Sequence, residues 1–169
     1  MTIIVGISNS SNVYIGADRS VSDNEVILTL ARPKVFINNN WLIGYAGTIG
    51  TGQLMEFLNL PPYPDDPYKV LRMEISEQLK DVLGNTSVTE DNTVDFLVGY
   101  GNKLFEFNTS DWSVMEVQET AVGSGASISL GSLYTSRTYI DANTRVQVAL
   151  NAAIEYSPTC KGPIDILST

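Results

Sequence analysis

Three polar residues near the start of the chain could take part in chemistry together. Thr2 lies in MTIIVG, Asp18 in IGADRS and Lys34 in RPKVF. A threonine hydroxyl is a weak nucleophile at neutral pH and needs a base beside it. Thr2 could equally be the first residue of a β-strand, since β-branched residues favour that geometry. Asp18 follows the apolar stretch YIGA, and a carboxylate buried there would need a partner.

The residue types that are missing narrow the chemistry. The 169-residue chain has no histidine and one cysteine, Cys160. It cannot form a Ser-His-Asp or Cys-His pair, an imidazole zinc site, a Cys-x-x-Cys site or an internal disulfide. We expect no metal and no cofactor, and we expect Cys160 to be a small buried residue. A hydrolase of this sequence must find its base elsewhere.

The charge and hydropathy of the chain exclude two kinds of partner. Ten Lys and Arg against 19 Asp and Glu give a formal net charge of -9, with no basic cluster to follow a phosphate backbone. No run approaches the roughly 18 consecutive apolar residues of a membrane helix. The N-terminus lacks the pattern of a signal peptide. We therefore expect a cytoplasmic protein that binds neither nucleic acid nor membrane.

The first half of the sequence predicts four strands followed by two helices. Residues 2–8 and 12–18 form one hairpin pattern, and residues 34–37 and 41–45 form a second one around three asparagines. Apolar residues at helical spacing follow Gly47, with Leu54, Phe57 and Leu58 on one face. A second helix is predicted over residues 67–83.

The second half repeats this order and ends on a strand. Strands are predicted in TVDFLVGYG, KLFEFN and WSVMEVQ, helices in ASISLGSLYTS and in DANTRVQVALNAAIEYS, and a strand in GPIDILS. No linker or repeat divides the chain, so we expect one domain over residues 1–169. Periodicity alone gives an α+β class and leaves its layout open.

The motifs and their order resemble the proteasome β-subunit and HslV family of N-terminal nucleophile (Ntn) hydrolases, and the pattern is most similar to HslV. The resemblance is carried by MTIIVG, IGADRS and RPKVF, and continues in IGYAG at 43–47, VGSG at 122–125 and GPIDIL at 162–167. Each motif is weak alone, but their joint order is specific. The resemblance implies a four-layer αββα sandwich, in which two antiparallel sheets are flanked by helices.

The resemblance also implies roles for individual residues. Thr2 becomes the nucleophile once Met1 is removed, and its own α-amino group, with an ordinary pKa of about 7.7–8.0, is the base. Lys34 places an ammonium near the Thr2 hydroxyl, and Asp18 holds that lysine. Without the resemblance, Lys34 would be read as a surface residue and Asp18 as part of a hairpin.

Two further features of the family concern backbone and hydroxyl groups. Gly44 and Gly47 both match the position of the oxyanion donor, and the HslV-like pattern GYAG favours Gly44; alternatively, the two glycines only end a strand before a helix. Ser124 matches the serine that hydrogen-bonds the terminal amine and relays its proton. Alternatively, VGSG is the N-cap of the next helix, where Ser and Gly are common, and both interpretations can hold together. The chain departs from the proteasome pattern where an aspartate and a serine are expected, since it has Ser157 and Cys160 there.

The function implied is a threonine-type endopeptidase subunit of a self-compartmentalising protease. Such subunits assemble into stacked rings, as hexamers or a dodecamer, and an ATP-dependent unfoldase supplies unfolded protein or peptide substrates. Two alternatives stay open. One is a catalytically silent assembly subunit of the same family, and the other is an Ntn amidohydrolase that acts on a small molecule.

Overall fold

The structure is a computed structural model, and it describes residues 2–22, 26–83, 93–138 and 141–169. In these ranges the strands are β1 (Ile3–Ser8), β2 (Val13–Asp18), β3 (Ser20–Ser22), β4 (Ile27–Thr29), β5 (Val35–Asn38), β6 (Trp41–Gly47), β7 (Val94–Tyr100), β8 (Lys103–Asn108), β9 (Val114–Val117), β10 (Glu119–Gly123) and β11 (Ile164–Ser168). The helices are α1 (Ile49–Leu54), α2 (Pro67–Lys69), α3 (Ser76–Leu83), α4 (Ala126–Ser136) and α5 (Ala142–Tyr156), and a π-helical segment (Val70–Ile75) joins α2 to α3.

Two antiparallel sheets form the centre of the molecule. The first sheet has the strand order β10-β1-β2-β11, and the second has the order β5-β6-β7-β8-β9. Strands β3 and β4 pair separately with each other. Both predicted hairpins are present, because β1 pairs with β2 and β5 pairs with β6.

Helices cover the outer face of each sheet, which gives the predicted αββα sandwich. Helices α4 and α5 pack on the first sheet. Val70, Leu71, Ile75 and Leu79, from the helical segment over residues 67–83, join the same apolar cluster as the second sheet. Each sheet thus buries both faces, one against helices and one against the other sheet.

The side chains of β1 show why its sequence is apolar without interruption. Ile4 belongs to the core between the two sheets, whereas Ile3 and Val5 pack with Val146 and Leu150 of α5. Successive residues of a strand point to opposite faces, so a strand buried on both faces needs apolar residues at every position. Residues Ile3 to Val5 are each 0% exposed.

The segment after Gly47 differs from the prediction. Helix α1 ends at Leu54, and the side chain of Phe57 is 77% exposed. Asn38, the last residue of β5, and Asn39, in the turn that follows, contribute to the early end. The Asn38 side-chain amide donates to the carbonyl oxygens of Met55 and Leu58, at 3.0 Å each. Asn39 donates similarly to Leu60 O at 2.6 Å. The side-chain amide of Asn38 thus takes the carbonyl of Met55, which a longer helix would have used, and Pro62 and Pro64 have no N–H with which a helix could pair the carbonyls of Leu58 and Leu60.

Two more strand assignments differ from the sequence pattern. Residues 20–22 and 27–29 pair as β3 and β4, where no strands were predicted. Residues 119–123 form β10, which pairs with β1 and brings the chain back beside Thr2. The predicted helices over 67–83 and after Asp141 are confirmed, and the Asp141 side chain accepts from Thr144 N. Among the described residues, no helix is long and apolar enough to cross a membrane.

Candidate active site

Strand pairing brings Thr2 and Asp18 to one end of the first sheet. Thr2 precedes β1, and Asp18 is the last residue of β2, the antiparallel partner of β1. The start of one strand of a hairpin lies beside the end of the other. Lys34 precedes β5 in the second sheet and reaches across the gap between the sheets. The sandwich therefore brings together three residues that are distant in sequence.

Lys34 contacts the hydroxyl of Thr2. The Lys34 Nζ donates to Thr2 Oγ1 at 2.5 Å and to Asp18 Oδ1 at 2.9 Å. It also donates to the backbone carbonyl of Ser20. An ammonium carries three protons, and these three acceptors use all of them. The predicted grouping of Thr2, Asp18 and Lys34 is therefore present as a hydrogen-bonded cluster.

Asp18 is completely buried and fully hydrogen-bonded. Its exposed fraction is 0%, and that of Lys34 is 1%. Besides Lys34, Asp18 accepts from the Ser20 hydroxyl, from Ile3 N at 3.3 Å and from Lys161 N at 3.3 Å. A buried carboxylate is tolerated only with such partners. The Asp18 carboxylate, held by these partners, and the carbonyl of Ser20 therefore fix the position of the Lys34 ammonium.

Burial also changes the acidity of the lysine. Desolvation lowers the pKa of Lys34 below its ordinary value, and the Asp18 carboxylate opposes part of this shift by favouring the charged ammonium. Chemically, an ammonium within hydrogen-bond distance of a hydroxyl lowers the energy of the alkoxide that forms when the hydroxyl attacks.

Ser124 lies on the other side of Thr2. Its backbone N–H donates to Thr2 O at 2.9 Å, and its Oγ donates to the same oxygen at 3.3 Å. Gly123 permits this approach, because its φ of 102° is left-handed and a Cβ there would collide with Thr2 O. The motif VGSG also supplies the N-cap of α4, as the alternative expected, but the capping residue is Gly125 and not Ser124.

The two candidate glycines occupy different environments. Gly44 lies inside β6, between Val35 and Leu97 in the sheet, and a Cβ on it would come within 2.9 Å of Ile15. Gly47 ends β6, is exposed and has a φ of 118°. Gly44 is thus enclosed by the core, whereas Gly47 lies where the strand opens to the surface.

Two hydroxyl residues of the cluster were not singled out from the sequence. Ser20 donates to Asp18, and Thr159 Oγ1 lies 2.8 Å from Ser124 Oγ. Thr159 is 35 positions from Ser124, so no local spacing connects them. Ser20 lies two positions after Asp18, and nothing else in the sequence marks it as a site residue. Cys160 is buried as expected, with its Sγ 3.8 Å from Ser124 Oγ.

The described residues contain no group of three or more acidic, histidine or cysteine side chains that could hold a metal ion. The cation in the cluster is the lysine itself, in contact with the candidate nucleophile. The side chains of the site can therefore supply a hydroxyl, an ammonium and several hydroxyl donors and acceptors.

Comparison with known proteins gives a likeness in structure. The sequence matches no protein-family model and no curated protein. Thiobacillus denitrificans BPH in complex with epoxomicin superposes with a TM-score of 0.83 at 17% identity, covering 99% of this chain and 97% of that chain. Eukaryotic HslV from Trypanosoma brucei gives 0.73 at 15% identity and 98% coverage of both chains. Anbu, an ancestral β-subunit from Yersinia bercovieri, gives 0.74 at 16% identity, covering 99% and 81%. The chain therefore has the fold of proteasome-like Ntn hydrolases such as HslV.

Proposed function

We propose that the protein is a threonine-type endopeptidase subunit of a proteasome-like or HslV-like protease. The observation that carries the proposal is the 2.5 Å contact between Lys34 Nζ and Thr2 Oγ1, with Asp18 fixing the lysine. This contact gives the second residue of the chain an activated hydroxyl, and removal of Met1 gives that residue a free amine as its base. The absence of histidine from the sequence makes the amine the base that this chemistry requires.

The reaction proceeds in two halves. Thr2 Oγ attacks the peptide carbonyl while the Thr2 amine accepts the hydroxyl proton, and Lys34 stabilises the developing negative charge on Oγ. The Thr2 ammonium then passes this proton to the nitrogen of the departing peptide fragment. The substrate acyl group stays bound to Thr2 as an ester. Water hydrolyses this ester with the same amine as base, and the free hydroxyl is restored.

We assign the oxyanion donor to the backbone N–H of Gly47. The donor must face a substrate at the surface, and Gly47 is exposed at the end of β6, whereas Gly44 is packed against Ile4 and Ile15. Tyr45, two positions before Gly47 in β6, hydrogen-bonds to the backbone of Lys34, since Tyr45 N donates to Lys34 O at 3.2 Å. The end of β6 therefore lies beside the lysine.

The proposed setting is a ring assembly. Likeness to HslV supports self-association into stacked rings that enclose the sites, fed by an ATP-dependent unfoldase, in the cytoplasm. Unfolded protein and peptides are the proposed substrates. Enclosure fits the chemistry, because a peptidase open to every folded protein would damage the cell.

The test combines N-terminal mass analysis with covalent labelling. We expect the purified protein to begin at Thr2 and to gain the mass of one epoxomicin, the compound bound in the BPH structure, at that residue. We expect fluorogenic peptides to be hydrolysed by the wild type and by Lys103→Ala, a matched surface control, and not by Thr2→Ala or Lys34→Ala.

Each other result has a distinct meaning. A protein that retains Met1 cannot use Thr2 as an N-terminal nucleophile, and this would leave the silent assembly subunit. A processed and assembled protein that labels at Thr2 but cleaves no peptide would contradict the peptidase and favour a small-molecule amidohydrolase. Cleavage that survives Thr2→Ala would exclude the proposed nucleophile.

A further inference from the structure

We propose that Thr159 is a positioning residue of this site, an inference that rests on the proposed function. Thr159 lies between α5 and β11, in a segment that contacts both sides of the Thr2 cluster. Its side chain holds Ser124, and its backbone and that of Lys161 hold Ser20 and Asp18. None of these contacts reaches the substrate, so Thr159 acts through the residues that it holds.

On one side, three hydroxyls form a continuous chain that ends at Thr2. Ser157 Oγ lies 3.0 Å from Thr159 Oγ1, and Thr159 Oγ1 lies 2.8 Å from Ser124 Oγ. Ser124 Oγ donates to Thr2 O at 3.3 Å. Because each hydroxyl donates one proton, this arrangement requires Thr159 to donate to Ser124. Thr159 thereby fixes the orientation of an otherwise exposed serine.

The donor direction of the hydrogen bonds along these three hydroxyls can also reverse. Thr2 O also accepts the backbone N–H of Ser124 at 2.9 Å, so it stays paired when the Ser124 hydroxyl turns towards Thr159. With its proton turned away, the Ser124 oxygen can take the role that the family resemblance implies for it, accepting an N–H of the Thr2 ammonium that forms during the proposed reaction. Thr159 is both acceptor and donor in these two arrangements, which valine cannot imitate.

On the other side, the backbone of this segment supports the carboxylate. Thr159 O lies 3.4 Å from Ser20 Oγ, and Lys161 N donates to Ser20 Oγ at 3.2 Å and to Asp18 Oδ2 at 3.3 Å. The segment therefore links the Ser124 side of Thr2 with the Lys34–Asp18 side. These contacts use backbone atoms and do not depend on the side chain at position 159. A substitution at this position therefore tests the role of the Thr159 hydroxyl alone.

The experiment compares Thr159→Val, which removes the hydroxyl at nearly constant volume, with Thr159→Ser, which restores it. Thr135→Val, at an exposed position of α4, is the matched control. The kcat and KM of peptide hydrolysis are measured across pH. For Thr159→Val we expect kcat to fall between about twofold and tenfold, as for one lost hydrogen bond, with KM unchanged. We expect the acid limb of its kcat–pH profile to move to lower pH, because the Thr2 ammonium loses a fixed hydrogen-bond acceptor and the pKa of the Thr2 amine falls.

Other outcomes overturn the inference separately from the proposed function. Thr159→Val with wild-type kcat and acid limb, or with kcat reduced equally at every pH, would show that Thr159 does not position Ser124. Failure of Thr159→Ser to recover the wild-type profile would show the same. If Thr159→Val does not fold, Ser157→Ala replaces it: a smaller shift in the same direction supports the inference, and no shift overturns it. An inactive wild type would instead overturn the proposed function, and the inference with it.

Discussion

The Nζ of Lys34 lies 2.5 Å from the Oγ1 of Thr2, although the two residues are 32 positions apart and directly precede strands of different sheets of the sandwich. Asp18 holds the lysine in this place at 2.9 Å. The contact joins the second residue of the chain to a buried cation, and the proposed peptidase chemistry depends on it.

The alkaline limit of activity tests the state of Lys34. Burial lowers the pKa of Lys34 below its ordinary value, so the stabilising ammonium is present at low pH and is lost as pH rises through that lowered pKa. We expect kcat to fall on the alkaline side at a lower pH than the titration of an ordinary lysine would give. Asp18→Asn removes the carboxylate that favours the ammonium, so its alkaline limb should move to still lower pH. A limb that Asp18→Asn moves upwards would contradict this electrostatic account. Peptide hydrolysis across pH gives the measurement.

Removing one member of the buried ion pair should destabilise the fold. Lys34→Met leaves Asp18 buried without its cation, and we expect the free energy of unfolding to fall by about 3–5 kcal/mol. The double variant Asp18→Asn with Lys34→Met should lose less than the sum of the two single changes, because it leaves no charge unpaired, whereas each single change leaves one. Urea denaturation measures all four proteins. Additive losses would show that the two residues are not coupled.

Gly44 tests the packing between the sheets. A Cβ at Gly44 would lie 2.9 Å from Ile15 Cγ2 and 3.0 Å from Ile4 Cγ2, so Gly44→Ala should cost about 1–3 kcal/mol through overpacking. Gly50 of α1 is the control, since a Cβ there meets nothing within 4 Å. Gly50→Ala should leave stability unchanged or raise it by up to ~1 kcal/mol. Thermal denaturation compares the stability of the two variants. An equal loss in both would exclude overpacking at Gly44 as the cause.

The cap of α5 should contribute to stability without affecting the site. The Asp141 side chain accepts from Thr144 N at 3.0 Å and from Thr144 Oγ1 at 2.7 Å. We expect Asp141→Ala to reduce the free energy of unfolding by about 1 kcal/mol with kcat unchanged. Asp65→Ala removes the same charge from an exposed turn and should change stability by less than ~0.5 kcal/mol. Equal losses in both variants would point to net charge instead of the cap.

Much of the fold follows from local sequence. The hairpins of β1–β2 and β5–β6 follow from apolar runs on either side of polar turns, and Asp141 marks the start of α5. These features depend on neighbours in sequence, so local propensity is enough to predict them. The end of α1 does not follow in this way, because Asn38 of β5 binds the carbonyls after it.

The sequence by itself determined which chemistry is available: with no histidine and a single cysteine, it offered Thr2, Asp18 and Lys34 in a specific order. Only the tertiary structure decided how they meet. Packing of the two sheets sets the distance from Lys34 to Thr2, and the return of the chain after α5 brings Thr159 to Ser124. It also separates Gly47 at the open end of β6 from Gly44 in the core. Such contacts join residues far apart in the chain, and no local spacing encodes them.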